Sequence, residues 1–113
     1  MLPARNRMRR SEDFAATMRG GVKGVGHCVV VHADLTKDDT LVGFVVSKRV
    51  GNSVVRHRVA RRMRHAVRDL MDTRHVGHAV IRALPTAAEA SGTELKADIA
   101  RALTRVDRKA AMT

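Results

Sequence analysis

The stretch SKRVGNSVVRHRVARRMRHAVR, Ser47 to Arg68, decides how the rest of the chain is read. It carries eight cationic side chains: Lys48, Arg49, Arg56, Arg58, Arg61, Arg62, Arg64 and Arg68. No Asp or Glu falls between Asp39 and Asp69, so nothing nearby in sequence neutralises them. Gly51-Asn52-Ser53 is a turn signal after the apolar run Leu41–Val46, and either Asn52 or Ser53 can accept a free first-turn N–H and start a helix. At about 100° per residue, Val55, Val59, Met63, Ala66 and Leu70 fall on one apolar arc, with Val67 at its edge. His57, Arg61, Arg64 and Arg68 fall opposite, with Arg58 and His65 beside them and Arg56 and Arg62 flanking the arc. Such a helix can dock on a core and still present guanidiniums about one turn apart.

A solvated charged face is the bland alternative, but such faces usually mix signs to limit repulsion. This one does not, and it prefers Arg to Lys. The planar guanidinium binds phosphate through two parallel hydrogen bonds and stacks on bases. The helix therefore reads as a nucleic-acid docking surface, suited to RNA as well as to DNA.

The segment FVVSKRVGNSVVRHRVARRMR resembles the signature of the protein subunit of bacterial ribonuclease P. Ser47, Lys48, Arg49, Gly51, Asn52 and Ser53 match its strand end and turn, Arg56 and Arg58 match the two arginines of its Arg-Asn-Arg core, and Arg61, Arg62 and Arg64 continue the basic row. His57 stands where the family usually has Asn, and Ala60 where it often has Lys. The acidic Ser11-Glu12-Asp13-Phe14 start of a first helix, the order of elements and the length extend the resemblance over nearly the whole chain. It implies an α+β domain: a small, mainly antiparallel four-stranded sheet with about three helices, in the order αβββαβα. It also implies a left-handed βαβ crossover, as in a ribosomal-protein-like fold, where pattern alone would suggest the usual right-handed one.

At 113 residues the chain is one domain, long enough to bury roughly two thirds of its unfolded surface. Phe14 and Phe44 are the only aromatics, so Val, Leu, Ile, Met and Ala must form the core. The net charge of +11 works against compaction and favours a polyanionic partner. Cys28 is the only cysteine and lies in an apolar run, which reads as a buried thiol in a reducing cytoplasm. No run approaches the roughly 18 apolar residues of a membrane span, and Met1–Arg5 lacks the apolar segment of a secretion signal.

Residues 1–10 carry four arginines and read as an extended basic arm. The RNA-binding domain is expected over 11–106 and a frayed tail over 107–113. Ser11 is expected to cap a helix to about Arg19, with Glu12 and Asp13 favoured in its first turn and Gly20-Gly21 ending it. Val22–Ala33 reads as strand, broken at Gly24 and Gly26 with a bulge; Asp34–Thr40 reads as an acidic turn joining a hairpin to the strand Leu41–Ser47. His78–Leu84 reads as a strand ended by Pro85. Ser91 or Thr93 is expected to cap a last helix with Leu95, Ile99, Ala102, Leu103 and Val106 on its apolar face.

Phe14 and Met18 are four apart and share a helix face, which periodicity alone assigns to the core. The resemblance implies instead a cleft between this helix and the sheet that takes the 5′ leader of precursor tRNA. Phe14 matches one of its aromatic positions, Met18 replaces another, and Val31 stands where several members have Tyr.

Independent catalysis finds little support. His75 and His78, or His57 and His65, lack further ligands at zinc-site spacing. Cys28 has no sequence sign of activation, and there is no P-loop or dinucleotide fingerprint. The resemblance accordingly implies that an RNA subunit hydrolyses the substrate with bound Mg2+, one protein assisting each catalytic RNA. Lys48, Arg49, Asn52, Arg56, His57, Arg58, Arg61, Arg62, Arg64 and Arg68 would face that RNA, and Phe14, Met18 and Val31 the leader. A ribosome-associated or general RNA-binding protein is the alternative that composition fits equally, and a histidine nuclease is a third.

Overall fold

In the computed structural model, which describes residues 2–112, the two strand-like pieces around Gly24 and Gly26 are separate strands. β1 (Val22–Val25) and β2 (Val29–Asp34) pair antiparallel, with Val22 opposite Ala33 and Val25 opposite Val30. The expected bulge is a full chain reversal at residues 26–28. Its physical cause lies far away in sequence: the Asp98 carboxylate accepts the N–H groups of His27, Cys28 and Val29 at 2.8, 2.7 and 3.1 Å. A Cβ at Gly26 would press on that carboxylate.

β3 (Leu41–Val45) leads through the arginine helix, here α2 (Ser53–Met71), to β4 (His78–Ala83). The sheet order is β1-β2-β4-β3, with β2/β4 antiparallel and β3/β4 parallel. Residues 34–40 therefore do not close a hairpin; they carry the chain past β4, which inserts between β2 and β3. Gly77 turns into β4 at φ +64°, where a side chain would meet the Asp34 carbonyl. The parallel β3–α2–β4 unit is the crossover unit the resemblance implies, in a mixed sheet with three α-helices.

The period-2 alternation of the strands separates two faces. Val29, Val31, Ala33, Ala79 and Ile81 turn to the side covered by α2 and by α3 (Gly92–Met112), where they meet Val59, Met63, Leu95, Ile99 and Leu103. This is the aromatic-free core foreseen, each fully buried Val, Leu or Ile contributing about 1.5–3 kcal/mol. The other face carries Lys23, Val30, His32, Val80, Arg82 and Gly43 and is crossed by α1 (Ser11–Gly20). At Gly43 a Cβ would overlap the Phe14 ring, so the glycine lets α1 lie close to the sheet.

Asn52 caps α2, its Oδ1 accepting the Val55 N–H at 3.0 Å. Ser91 and Glu94 form a reciprocal capping box at the start of α3, Ser91 N–H to Glu94 at 2.9 Å and Glu94 N–H to Ser91 Oγ at 3.1 Å. Ser11 does not cap α1. It is the first helical residue, and Arg10 occupies the cap position without a side-chain bond.

Both ends of the chain are packed more closely than the sequence suggests. Leu2 and Met8 are buried, Ala4–Asn6 form a 3-10 turn, and the Met8 N–H donates to Val42 O at 2.9 Å on the outer edge of β3. The basic arm of residues 1–10 is thus anchored along a sheet edge rather than extended. At the other end α3 continues past Val106 to Met112. Asp107 takes a bidentate pair from Arg74 at 2.6 and 2.9 Å, and Lys109 donates to Lys23 O at 2.7 Å, so the expected frayed tail is helical and tied down.

Candidate nucleic-acid interface

α2 lies with Val59, Met63, Ala66 and Val67 buried, as its apolar arc requires. The cations opposite divide into two sets. His57, Arg61, His65 and Arg68 are exposed, and Lys48 and Arg49 stand exposed in the turn before the helix, which buried Val50 anchors. Val54, 71% exposed, adds an apolar contact at the helix entrance.

The second set is engaged with the protein. Arg62 Nη1 donates to Ala90 O at 2.8 Å, and Arg58 Nη2 to Ala88 O at 3.2 Å. These bonds tie α2 to the 3-10 turn Pro85–Glu89 that precedes α3. Both arginines were expected to face RNA; the structure gives them a structural task, though neither is fully enclosed. Arg56 is half-buried, and its Nε, like that of Arg58, is enclosed without a partner. Asn52 spends its side-chain oxygen on the cap. Arg64 is half-buried and turns towards the edge of β3, where it lines a cleft with Phe14 and Phe44.

On the α1 side, Phe14 packs over Gly43, and Met18 is 39% exposed. Val31 is 0% exposed and belongs to the opposite face, inside the core. It cannot line this cleft, because a one-residue difference in a strand moves a side chain to the other side of the sheet. The β2 residues that do face α1 are Val30 and His32. Across the ladder, His32 stands beside Lys23 and Val80, and Val30 beside Val25 and Arg82. The face is therefore apolar and basic together.

His32 is held below the ordinary histidine pKa, first by burial and then by the charges of Lys23 and Arg82. It is neutral at pH 7, and its enclosed Nε2 has no protein partner. Lys23, His32 and Arg82 escaped the sequence reading. The signal was available: along Val29–Asp34 the polar residues His32 and Asp34 share one parity, which marks the less deeply buried face.

Asp98 also escaped it. Burial would raise its carboxyl pKa, but the N–H groups of His27 and Cys28 and the Arg101 guanidinium, 3.1 Å away, outweigh burial and hold it below the ordinary value. A polar residue amid the apolar stripe Leu95-Ile99-Ala102 was the available clue.

The histidines do not assemble into a reaction centre. His78 Nε2 lies 2.9 Å from Asp39 Oδ1, and His75 Nε2 lies 2.8 Å from Lys37 O, both holding the loop between β2 and β3. His57 and His65 sit exposed on α2. Among the described residues no group of three or more His, Cys, Asp or Glu is placed to hold a metal ion, and no helix is long and apolar enough to cross a membrane.

The geometry is thus a cationic helix on one side of a sheet and an apolar–basic cleft on the other. The fold is similar to that of the RNase P protein from Staphylococcus aureus, with a TM-score of 0.77, 20% identity and coverage of 88% of this chain and 93% of that one. It is similar also to the RNase P protein from Thermotoga maritima, with a TM-score of 0.76, 20% identity and coverage of 89% and 97%. In sequence the chain is 48% identical over 109 residues to the ribonuclease P protein component of Mycobacterium sp. (strain KMS), spanning 93% of this chain and 92% of that protein. It is 47% identical over 116 residues to that of Beutenbergia cavernae, spanning 97% and 95%. The family model for ribonuclease P matches residues 2–107, and the chain belongs to the ribonuclease P protein family.

Proposed function

We propose that the chain is the protein component of a ribonuclease P ribonucleoprotein and acts in removal of the 5′ leader from precursor tRNA. The observation that carries this reading is the separation of two chemically different surfaces by one sheet. The unneutralised helix, through Arg61, Arg68, His57, Lys48 and Arg49 and the exposed parts of Arg56, Arg58, Arg62 and Arg64, suits the phosphate backbone of a structured catalytic RNA. The α1 face, with Phe14, Met18, Val30, His32, Lys23 and Arg82, suits a single strand, whose unstacked bases lie on apolar surface while cations hold the phosphates.

In this reading the bond is cut by the RNA subunit, one protein serving each catalytic RNA in the cytoplasm. Magnesium is held by RNA and substrate phosphates, and the protein supplies cationic side chains that offset phosphate repulsion. The protein's own contribution is positional. It fixes the leader relative to the catalytic RNA, so that precursor binds more tightly than mature tRNA.

The test is cleavage of a precursor tRNA by a bacterial ribonuclease P RNA at low Mg2+, with and without this protein. Restored cleavage at the mature 5′ end is expected. RNA binding without any gain in cleavage would assign the protein to general RNA binding, and cleavage by the protein alone would revive the nuclease reading.

A further inference from the structure

The two proposed RNA surfaces lie on opposite faces of the sheet, and they meet at the outer edge of β3. A cleft of about 320 Å3 wraps that edge. Phe14 reaches it from α1, Phe44 from β3, Arg64 from α2, and Arg7 and Arg9 from the anchored N-terminal segment. Phe14 and Phe44, the only two aromatic residues of the chain, thus line the same small cleft.

The backbone adds a second feature. Val42 turns its carbonyl outward to the Met8 N–H. Two residues on, by strand alternation, Phe44 turns its own N–H and C=O to the same side, beyond the bridge between Arg7 and Val42. An adjacent donor and acceptor on an open edge can pair with the polar edge of a base. Arg9 is exposed, whereas Arg7 and Arg64 are half-buried, Arg7 with its Nε given to Leu2 O at 3.1 Å. Their remaining N–H groups form a cationic rim.

We infer that this cleft holds one unstacked nucleotide, its base against the Phe14 and Phe44 rings and the Phe44 backbone, its phosphate on Arg9 and Arg64. This rests on the proposed function and sharpens it: the edge of β3 is where RNA on the α1 face meets RNA on the α2 face. The nucleotide comes from the leader or from the catalytic RNA, two sources with the same chemistry.

Two variants test it. Phe44→Leu keeps an apolar side chain and removes the ring; Arg9→Ala alters an exposed residue and leaves the fold intact. Each is reconstituted with catalytic RNA, and affinity is measured for mature tRNA and for precursor tRNAs carrying one abasic residue at successive leader positions. Affinity for the catalytic RNA alone is measured alongside. Removing one stacked base is expected to cost roughly tenfold. If the nucleotide is the leader's, one abasic position weakens wild type by that factor and leaves Phe44→Leu, already weakened, unchanged. If it is the catalytic RNA's, both variants weaken the binary complex instead. The inference is overturned if both variants bind both RNAs like wild type, or if every abasic position costs variant and wild type alike. Equal binding of precursor and mature tRNA by wild type would defeat the leader reading, and the cleft would then stand or fall on the binary complex.

Discussion

Arg61 and Arg62 are neighbours in sequence with opposite tasks, and replacing each by Ala should separate stability from RNA binding. Arg61 is exposed and bonded to nothing in the protein. Its loss should leave stability within about 0.5 kcal/mol of wild type. It should remove one phosphate contact, lowering the slope of log K against log salt by about 0.7–0.9 and weakening catalytic-RNA affinity about 5- to 8-fold at 0.1 M salt. Arg62 donates at 2.8 Å to the carbonyl of buried Ala90. A charged hydrogen bond of this kind is worth about 1.5–3 kcal/mol, the low end suiting a half-exposed side chain, and about 1.5 kcal/mol would lower Tm by about 6 °C in a domain of this size. The assays are thermal unfolding of the free protein and a salt titration of RNA binding. Equal Tm losses with equal slope changes for the two variants would refute the division of the arginines. So would a full Tm loss for Arg61→Ala.

Asp98→Asn should destabilise the protein by about 2–4 kcal/mol, since an amide nitrogen would oppose at least one of the three N–H groups; urea unfolding measures this. The Asp98 pKa is depressed on folding, so its stabilisation is present above the unfolded value of about 3.9 and is lost as pH falls through the lower folded value. The variant should therefore lose less stability than wild type over that acid range, and an identical acid limb would contradict the assignment. Gly43→Ala should force the Phe14 ring aside, at about 1–3 kcal/mol, and reduce the preference for precursor over mature tRNA; an unchanged preference would separate Phe14 from leader binding. Arg105 and Lys109 donate to the outward carbonyls of Val25 and Lys23 on the free edge of β1. Replacing both by Ala should open that edge to self-association, visible as a concentration-dependent mass in sedimentation; a strictly monomeric double variant would show that these bonds do not guard it.

The arginine helix was legible because its information is local. The period of Val55, Val59, Met63 and Ala66 sets the buried face, and the Asn52 cap lies three residues from the N–H it accepts. What failed depends on distance. The place of β4 between β2 and β3 is a long-range pairing that no local pattern encodes. The reversal at residues 26–28 is fixed by Asp98, some 70 residues away. Val31 was placed in the cleft by analogy, and the strand parity that assigns His32 there instead becomes certain only when β2 is paired. Arg58 and Arg62 differ from Arg61 and Arg68 only through Ala88 and Ala90, whose carbonyls come within reach once α3 has packed on α2. The N-terminal arm was read from its charge, while Leu2 and Met8, which pin it, are two apolar residues without a period.

The central claim is that one sheet keeps two RNAs on opposite sides. It is tested most directly by site-directed cross-linking in the reconstituted complex. A photoreactive group is attached to a single cysteine at position 61 or position 18, in a background with Cys28→Ser. The account predicts that position 61 cross-links the catalytic RNA whether or not substrate is present, and that position 18 cross-links precursor tRNA within its leader and does not label mature tRNA. Cross-links from both positions to the same RNA segment, or leader cross-links from position 61 alone, would contradict it.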